Sequence, residues 1–97
     1  MSNKPLFIPL RTCWFRAFEA GDKRVEYRAY GARWNETSCY PGRCAILSHG
    51  YSGARLARVV ERFDMVPRAS APVEAQAIFP EAMFLAAITL AECGGAQ

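Results

Sequence analysis

Histidine occurs once in this chain, long apolar runs are missing, and no two cysteines stand at the two-residue spacing of a zinc knuckle. A lone histidine leaves little material for a histidine-based metal centre. The longest apolar stretch, Ala82 to Ala91, is too short to cross a bilayer, which takes about 20 such residues. Met1 to Lys4 carries no hydrophobic signal region, so a cytoplasmic location is expected, with no membrane partner. The basic excess is small as well. A net charge of +3 permits a phosphate-bearing partner without demanding one, and the dense basic stripe of a strongly nucleic-acid-directed domain is absent. No internal repeat or low-complexity segment occurs.

The four cysteines, Cys13, Cys39, Cys44 and Cys93, do not supply a framework either. Cys39-x4-Cys44-x4-His49 is the one nucleus a metal could use, and it lacks the paired spacing of structural zinc sites. Cys13 and Cys93 stand among apolar residues, where reduced thiols are ordinary. Reduced cysteines, no metal and no cofactor are therefore expected.

What is present is the composition of an ordinary folded domain. Ninety-seven residues, 52% hydrophobic and 22% charged, make one domain spanning 1–97, able to bury roughly two-thirds of its unfolded surface in a modest core. Six of the twelve basic residues lie between Arg11 and Arg33, which biases positive charge to the front half.

Leu6 to Leu10, broken by Pro9, reads as an edge strand or an extended lead-in, because proline cannot donate to a ladder. Thr12 is placed to cap a helix over 12–20, with Phe15 and Phe18 at core spacing and Gly21 as its stop. Lys23 to Tyr30 then alternates as a strand, with Val25, Tyr27 and Ala29 on one face, Tyr27 towards the core. Arg24, Glu26 and Arg28 take the other face, towards solvent or a polar cleft.

Gly31 to Glu36 and Tyr40-Pro41-Gly42 signal turns before a strand over 43–48. His49-Gly50-Tyr51-Ser52-Gly53 is a glycine-rich loop without the lysine or spacing of a phosphate loop. Residues 54–66 are ambiguous: Leu56, Val59, Val60 and Phe63 match a helical stripe, while Ala57, Val59, Phe63 and Met65 lie on one face of a strand interrupted by Glu61, and pattern alone leans to a helix. Ser70 and Pro72 suggest the cap and first position of a short helix over 72–78. Met83 to Ala91 reads as a central strand, and the Gly94-Gly95 tail is expected to fray.

The densest cluster of functional groups is Gly21-Asp22-Lys23-Arg24-Val25-Glu26-Tyr27-Arg28, which sets opposite charges at a helix-to-strand corner. Lys23 can serve as a point charge for phosphate or, if desolvated, as a base; Arg28 offers a fixed fork; Glu26 can orient Lys23 or accept from a base amino group. Trp34 and Tyr51, in loop-like stretches, are expected to be exposed and available for base stacking. Ser48 and His49 end a strand, and His49 is a candidate catalytic group.

Gly21-x-Lys23-x-x-Glu26-x-Arg28 after a short helix bearing Trp14, followed by Pro41-Gly42-Arg43 and a strand ending Ser48-His49-Gly50-Tyr51, resembles the ASCH family. This is a branch of the PUA-like superfamily, and the likeness runs from about Leu6 to Cys93. The resemblance implies an α+β fold: a partly closed β-barrel of about five strands with two short flanking helices, and a cleft at the signature. It also implies a strand, not a helix, over 54–66.

By the same resemblance, the expected function is binding of RNA or a modified nucleotide, with Lys23, Glu26, Arg28, Trp34, Ser48, His49 and Tyr51 lining the site. A small hydrolase of RNA or N4-acetylcytidine, with Lys23 and Glu26 as catalytic partners, is the alternative, and a protein-interaction adaptor a second one. In the amidohydrolase branch the signature Lys works with a Thr three residues on and a distal Glu. Here Glu26 takes the Thr position, and Glu74 is the candidate for the distal Glu.

Overall fold

The computed structural model describes residues 4–93, whose backbone forms one mixed five-stranded sheet curled into a half-barrel and flanked by two helices. In chain order the elements are β1 (Leu6–Leu10), α1 (Thr12–Ala20), β2 (Val25–Ala29), β3 (Cys44–His49), β4 (Arg55–Pro67), α2 (Val73–Ile78) and β5 (Phe84–Glu92). This is the α+β, partly closed barrel that the sequence led us to expect. Neighbouring strands run β1-β3-β4-β5-β2, with β1 and β3 parallel and every other pair antiparallel. The first two strands of the chain are thus the two edges of the sheet, and α1 connects one edge to the other. That connection decides where a cleft can form.

Each edge is built from local chemistry. The Gly50 N–H donates to the Leu10 carbonyl at 3.0 Å, which turns Leu10 towards β3 and leaves Pro9 on the outer edge, where its missing donor costs nothing. α1 ends in a left-handed Gly21 (φ 84°), with Asp22 N–H donating to Ala17 O at 2.9 Å and Gly21 N–H to Phe18 O at 3.1 Å. This Schellman turn requires a residue free to adopt positive φ and aims the chain from helix into β2. At the other end the expected cap differs. Arg11 occupies the cap position without a side-chain bond, while Thr12, the first helical residue, is hydrogen-bonded through Oγ1 to His49 Nε2 at 2.8 Å.

Residues 55–67 form one long strand, and its geometry explains the helical pattern. The β4–β5 register shifts between Val60 and Arg62, so Glu61 is the extra residue of a bulge. Val60 and Phe63 consequently both face the main core, three positions apart as on a helix, although the backbone is extended throughout.

Near α2 the expected cap also moves: Ser70 donates to Pro67 O, and Pro72 is the cap residue before helical Val73. This short helix is held from its C-terminal side, where the Arg68 guanidinium donates to the carbonyls of Gln76 and Phe79 at 2.8–3.1 Å.

Two apolar clusters result. The main one joins Leu6, Ile8 and Leu10 of β1 to Phe15 and Phe18 of α1, Leu47 of β3 and Ile88 of β5. Each large side chain buried there contributes about 1.5–3 kcal/mol. A smaller cluster of Ala71, Ala75 and Leu85, with Tyr27, Val66 and Phe79 against it, lies under α2. The expected fraying of Gly94-Gly95 lies outside the described residues.

Candidate ligand-binding cleft

Because the sheet is not closed, its two edges border a gap, and that gap is a cleft of about 620 Å³. Pro9 and Leu10 come from β1, Trp14 from α1, Glu26 to Ala29 from β2, and Glu74, Ala75 and Phe79 from the α2 region. The volume suits one small organic ligand. Three basic residues (Arg11, Lys23, Arg28) and three acidic ones (Asp22, Glu26, Glu74) line it, so its formal charges balance.

On β2, Glu26 and Arg28 stand opposite Ile88 and Ala86 of β5, both in the main core, so the signature charges point into the half-barrel rather than to solvent. Glu26 is only 7% exposed. Its Oε2 accepts from Arg28 Nε at 2.7 Å, and its Oε1 lies 3.8 Å from Lys23 Nζ. The Arg28 guanidinium also donates to the Pro9 carbonyl at 2.6 Å. One side chain therefore ties β2 to β1 across the opening, in place of the missing ladder. Two nitrogens of the Arg28 fork are thus engaged within the protein.

Lys23 is held as tightly. Its ammonium donates to the Val25 carbonyl at 2.7 Å and lies 4.9, 5.5 and 5.9 Å from the ring centroids of Trp14, Phe18 and Tyr27. Each of these is within cation–π range. Burial pushes the Lys23 pKa below 10.5; the Glu26 carboxylate and, more weakly, Glu74 pull it back up, and Arg28 pushes it down. The net lowering makes neutral amine more accessible here than on a free lysine.

The remaining expected site residues divide. Trp34 borders the cleft but is buried, 8% exposed and part of the main core, with the guanidinium carbons of Arg28 and Arg33 at 4.8 and 5.4 Å from its ring. It is not the exposed stacking platform expected of a loop tryptophan, because the 31–38 loop is folded tightly around Asn35. That side chain accepts from Thr37 and Ser38 N–H and donates to Gly31 and Ala32 carbonyls. Tyr27 leaves the main core for the small cluster under α2, and it lines the cleft.

Ser48, His49 and Tyr51 do not line the cleft. β3 lies one strand in from the edge, so the end of this strand turns elsewhere. Ser48 is fully buried, with no partner for its Oγ among the described residues. His49 stacks on Phe15 at 5.2 Å and 17° and bonds Thr12, tying β3 to α1. Tyr51 is 76% exposed beside Phe7, at 6.2 Å between ring centroids.

Searches against protein-family models, curated proteins and solved structures find no match to this chain. Its chemistry must be read from the cleft itself. All four cysteines are free thiols, and among the described residues no three His, Cys, Asp or Glu side chains gather as a metal site would require.

Sequence reasoning missed the walls. Pro9, Leu10 and Phe79 are functional neighbours of Lys23 only because the sheet curls and α2 folds back over β2. No local signal in the chain marks them. Trp14 was legible in principle, since it lies one helical turn before Phe18 on the side that meets Lys23.

Proposed function

We propose that this protein is an ASCH-type domain that binds RNA or a nucleotide by admitting one nucleobase to the cleft between its sheet edges. The observation that carries the reading is the charge-balanced, aromatic-walled cleft at Gly21-x-Lys23-x-x-Glu26-x-Arg28. Every signature position acts there: Gly21 makes the turn, Lys23 and Arg28 compensate Glu26, and Arg28 spans the opening. A cleft whose charges already neutralise one another favours a neutral planar group over phosphate. Apolar and aromatic walls reward its burial, at about 1–3 kcal/mol for each stacked base.

Thermal-shift and calorimetric titrations with ribonucleosides, nucleotides and short single-stranded RNAs test this. Binding should be lost or weakened at least about tenfold in Trp14→Ala. Nucleoside affinity should change little between low and moderate salt, because few counterions are released. If no nucleoside, nucleotide or RNA binds, the reading fails.

A second reading, a small hydrolase of RNA or an acylated nucleoside, is favoured by one observation. Lys23 has a lowered pKa and shares its cleft with three carboxylates, of which Glu26 and Glu74 act on its charge. Nuclease-free protein that turns over neither single-stranded RNA nor N4-acetylcytidine between pH 5 and 9 would rule it out.

A further inference from the structure

We infer that the cleft reads its base through the backbone of Tyr27, whose N–H and C=O form a donor–acceptor pair for a nucleobase edge presenting an acceptor beside a donor. The inference rests on the nucleobase reading above and specifies how the base is recognised.

Among the described residues β2 has one neighbouring strand, β5. In an antiparallel pair, residues that exchange both bonds with the partner alternate with residues whose backbone groups point away from it. The Leu90 N–H donates to Arg24 O at 2.7 Å and the Tyr30 N–H to Phe84 O at 3.1 Å. With Glu26 opposite Ile88 and Arg28 opposite Ala86, the even-numbered residues face β5. Val25, Tyr27 and Ala29 therefore turn their N–H and C=O groups to the open edge. Lys23 Nζ bonded to the Val25 carbonyl shows this orientation directly.

Lys23 thus occupies the edge at Val25, and Arg28 crosses from β2 to Pro9. Among the described residues, what stays open towards the cleft is Tyr27 and Ala29. Two residues are too few for an added peptide strand, since strands usually run about 5–6 residues. One planar heterocycle needs only one residue's pair. In an extended residue the N–H and C=O lie side by side on the same edge. They match uracil through its N3–H and O4, cytosine through N4–H and N3, and the corresponding edges of the purines. The balanced charges of the lining residues favour the same neutral ligand, and Trp14 and Phe79 stand in the walls to flank its ring.

The test is an NMR titration of ¹⁵N-labelled full-length protein with the four ribonucleosides, a short single-stranded oligouridylate, and edge-methylated analogues such as N3-methyluridine and N6,N6-dimethyladenosine. For the nucleoside that binds best, the Tyr27 amide should shift downfield and gain protection from hydrogen exchange, and its edge-methylated analogue should bind at least about tenfold more weakly. Comparing the oligouridylate with uridine separates a base within RNA from a free nucleoside. Nucleoside binding that leaves the Tyr27 amide unmoved, or that tolerates edge methylation, overturns the inference and leaves the cleft assignment standing. No binding by any probe overturns both.

Discussion

Two short segments of this chain carry similar densities of polar and aromatic groups, Gly21 to Arg28 and Ser48 to Gly53, yet only the first borders a cleft. The first lies on an edge strand, with its charges turned inward and satisfied by one another: Lys23 and Arg28 on Glu26, Arg28 on Pro9. The second ends an interior strand. Its groups serve the turn or the adjacent helix, with His49 on Thr12 and Phe15. Even its glycines have a structural explanation. Gly50 has φ 72°, and a Cβ on Gly53 would come within 2.3 Å of the His49 carbonyl oxygen. The contrast teaches that side-chain type nominates a site, whereas strand position decides whether a concave surface exists to use it.

The contrast breaks most severely at Glu26. Glu26→Gln keeps the shape but removes the carboxylate that Arg28 and Lys23 share in a largely buried setting, leaving Lys23 the weaker pull of Glu74. Removing one partner of such a group costs about 3–5 kcal/mol. At about 4–8 °C per kcal/mol for a domain of this size, the melting temperature should fall by roughly 12 °C or more in calorimetry. A drop under a few degrees would show that the charges are solvated and the cleft far wetter than its geometry indicates.

Arg28→Lys tests the bridge between the edges. A lysine keeps the charge but cannot donate to Glu26 and Pro9 in the same fork geometry. The expected cost is about 1.5–3 kcal/mol, that of a charged hydrogen bond. Amide exchange should accelerate along β1 and β2 while β4 stays protected. Uniform acceleration would mean that Arg28 contributes to the fold generally and does not fasten the opening.

How much of this was legible follows from range. The helix at 12–20, its glycine stop, the charged corner and the strand before His49 all depend on neighbours within a few residues, and each stands where the sequence put it. At 55–67 the residues offered both a helical stripe and a strand face interrupted by Glu61, and the resemblance decided for the strand, because the bulge at Glu61 gives an extended chain a helix-like spacing of apolar residues. Trp34 and Tyr51 looked alike, as aromatics in loops. One is buried and the other exposed because the Asn35 side-chain bonds fold the 31–38 loop inward, whereas the 49–54 turn is closed by backbone bonds and by Arg55 donating to the Tyr51 and Gly53 carbonyls, which leave the Tyr51 ring outside. The far wall of the cleft, from Pro9 to Phe79, comes from segments about 70 residues apart, and only the curl of the sheet brings them together.

Lys23 gives a smaller effect whose sign is fixed. Its folded pKa lies below its unfolded value, so between the two the unfolded chain binds more protons and stability rises with pH. Below that window the ammonium is charged in both states and carries its desolvation cost in the folded one; above it the cost has gone. Lys23→Met has no proton to lose. The stability of wild type relative to Lys23→Met should therefore improve as pH is raised from 7 towards 10, measured by urea denaturation at each pH. A difference that stays flat, or moves the other way, would mean that Glu26 outweighs burial.

The smallest effect belongs to the other segment. Tyr51→Ala removes an exposed ring that neighbours Phe7 at 6.2 Å, so it should change stability by no more than about 0.5 kcal/mol. Nucleoside affinity should not change either, because Tyr51 does not border the cleft. Trp14→Ala in parallel supplies the opposing case: an aromatic of similar bulk, 4.9 Å from the Lys23 ammonium, whose loss should weaken nucleoside binding at least about tenfold. If affinity instead falls with Tyr51 and survives the loss of Trp14, the ligand sits at the β3 turn, and the two segments exchange roles.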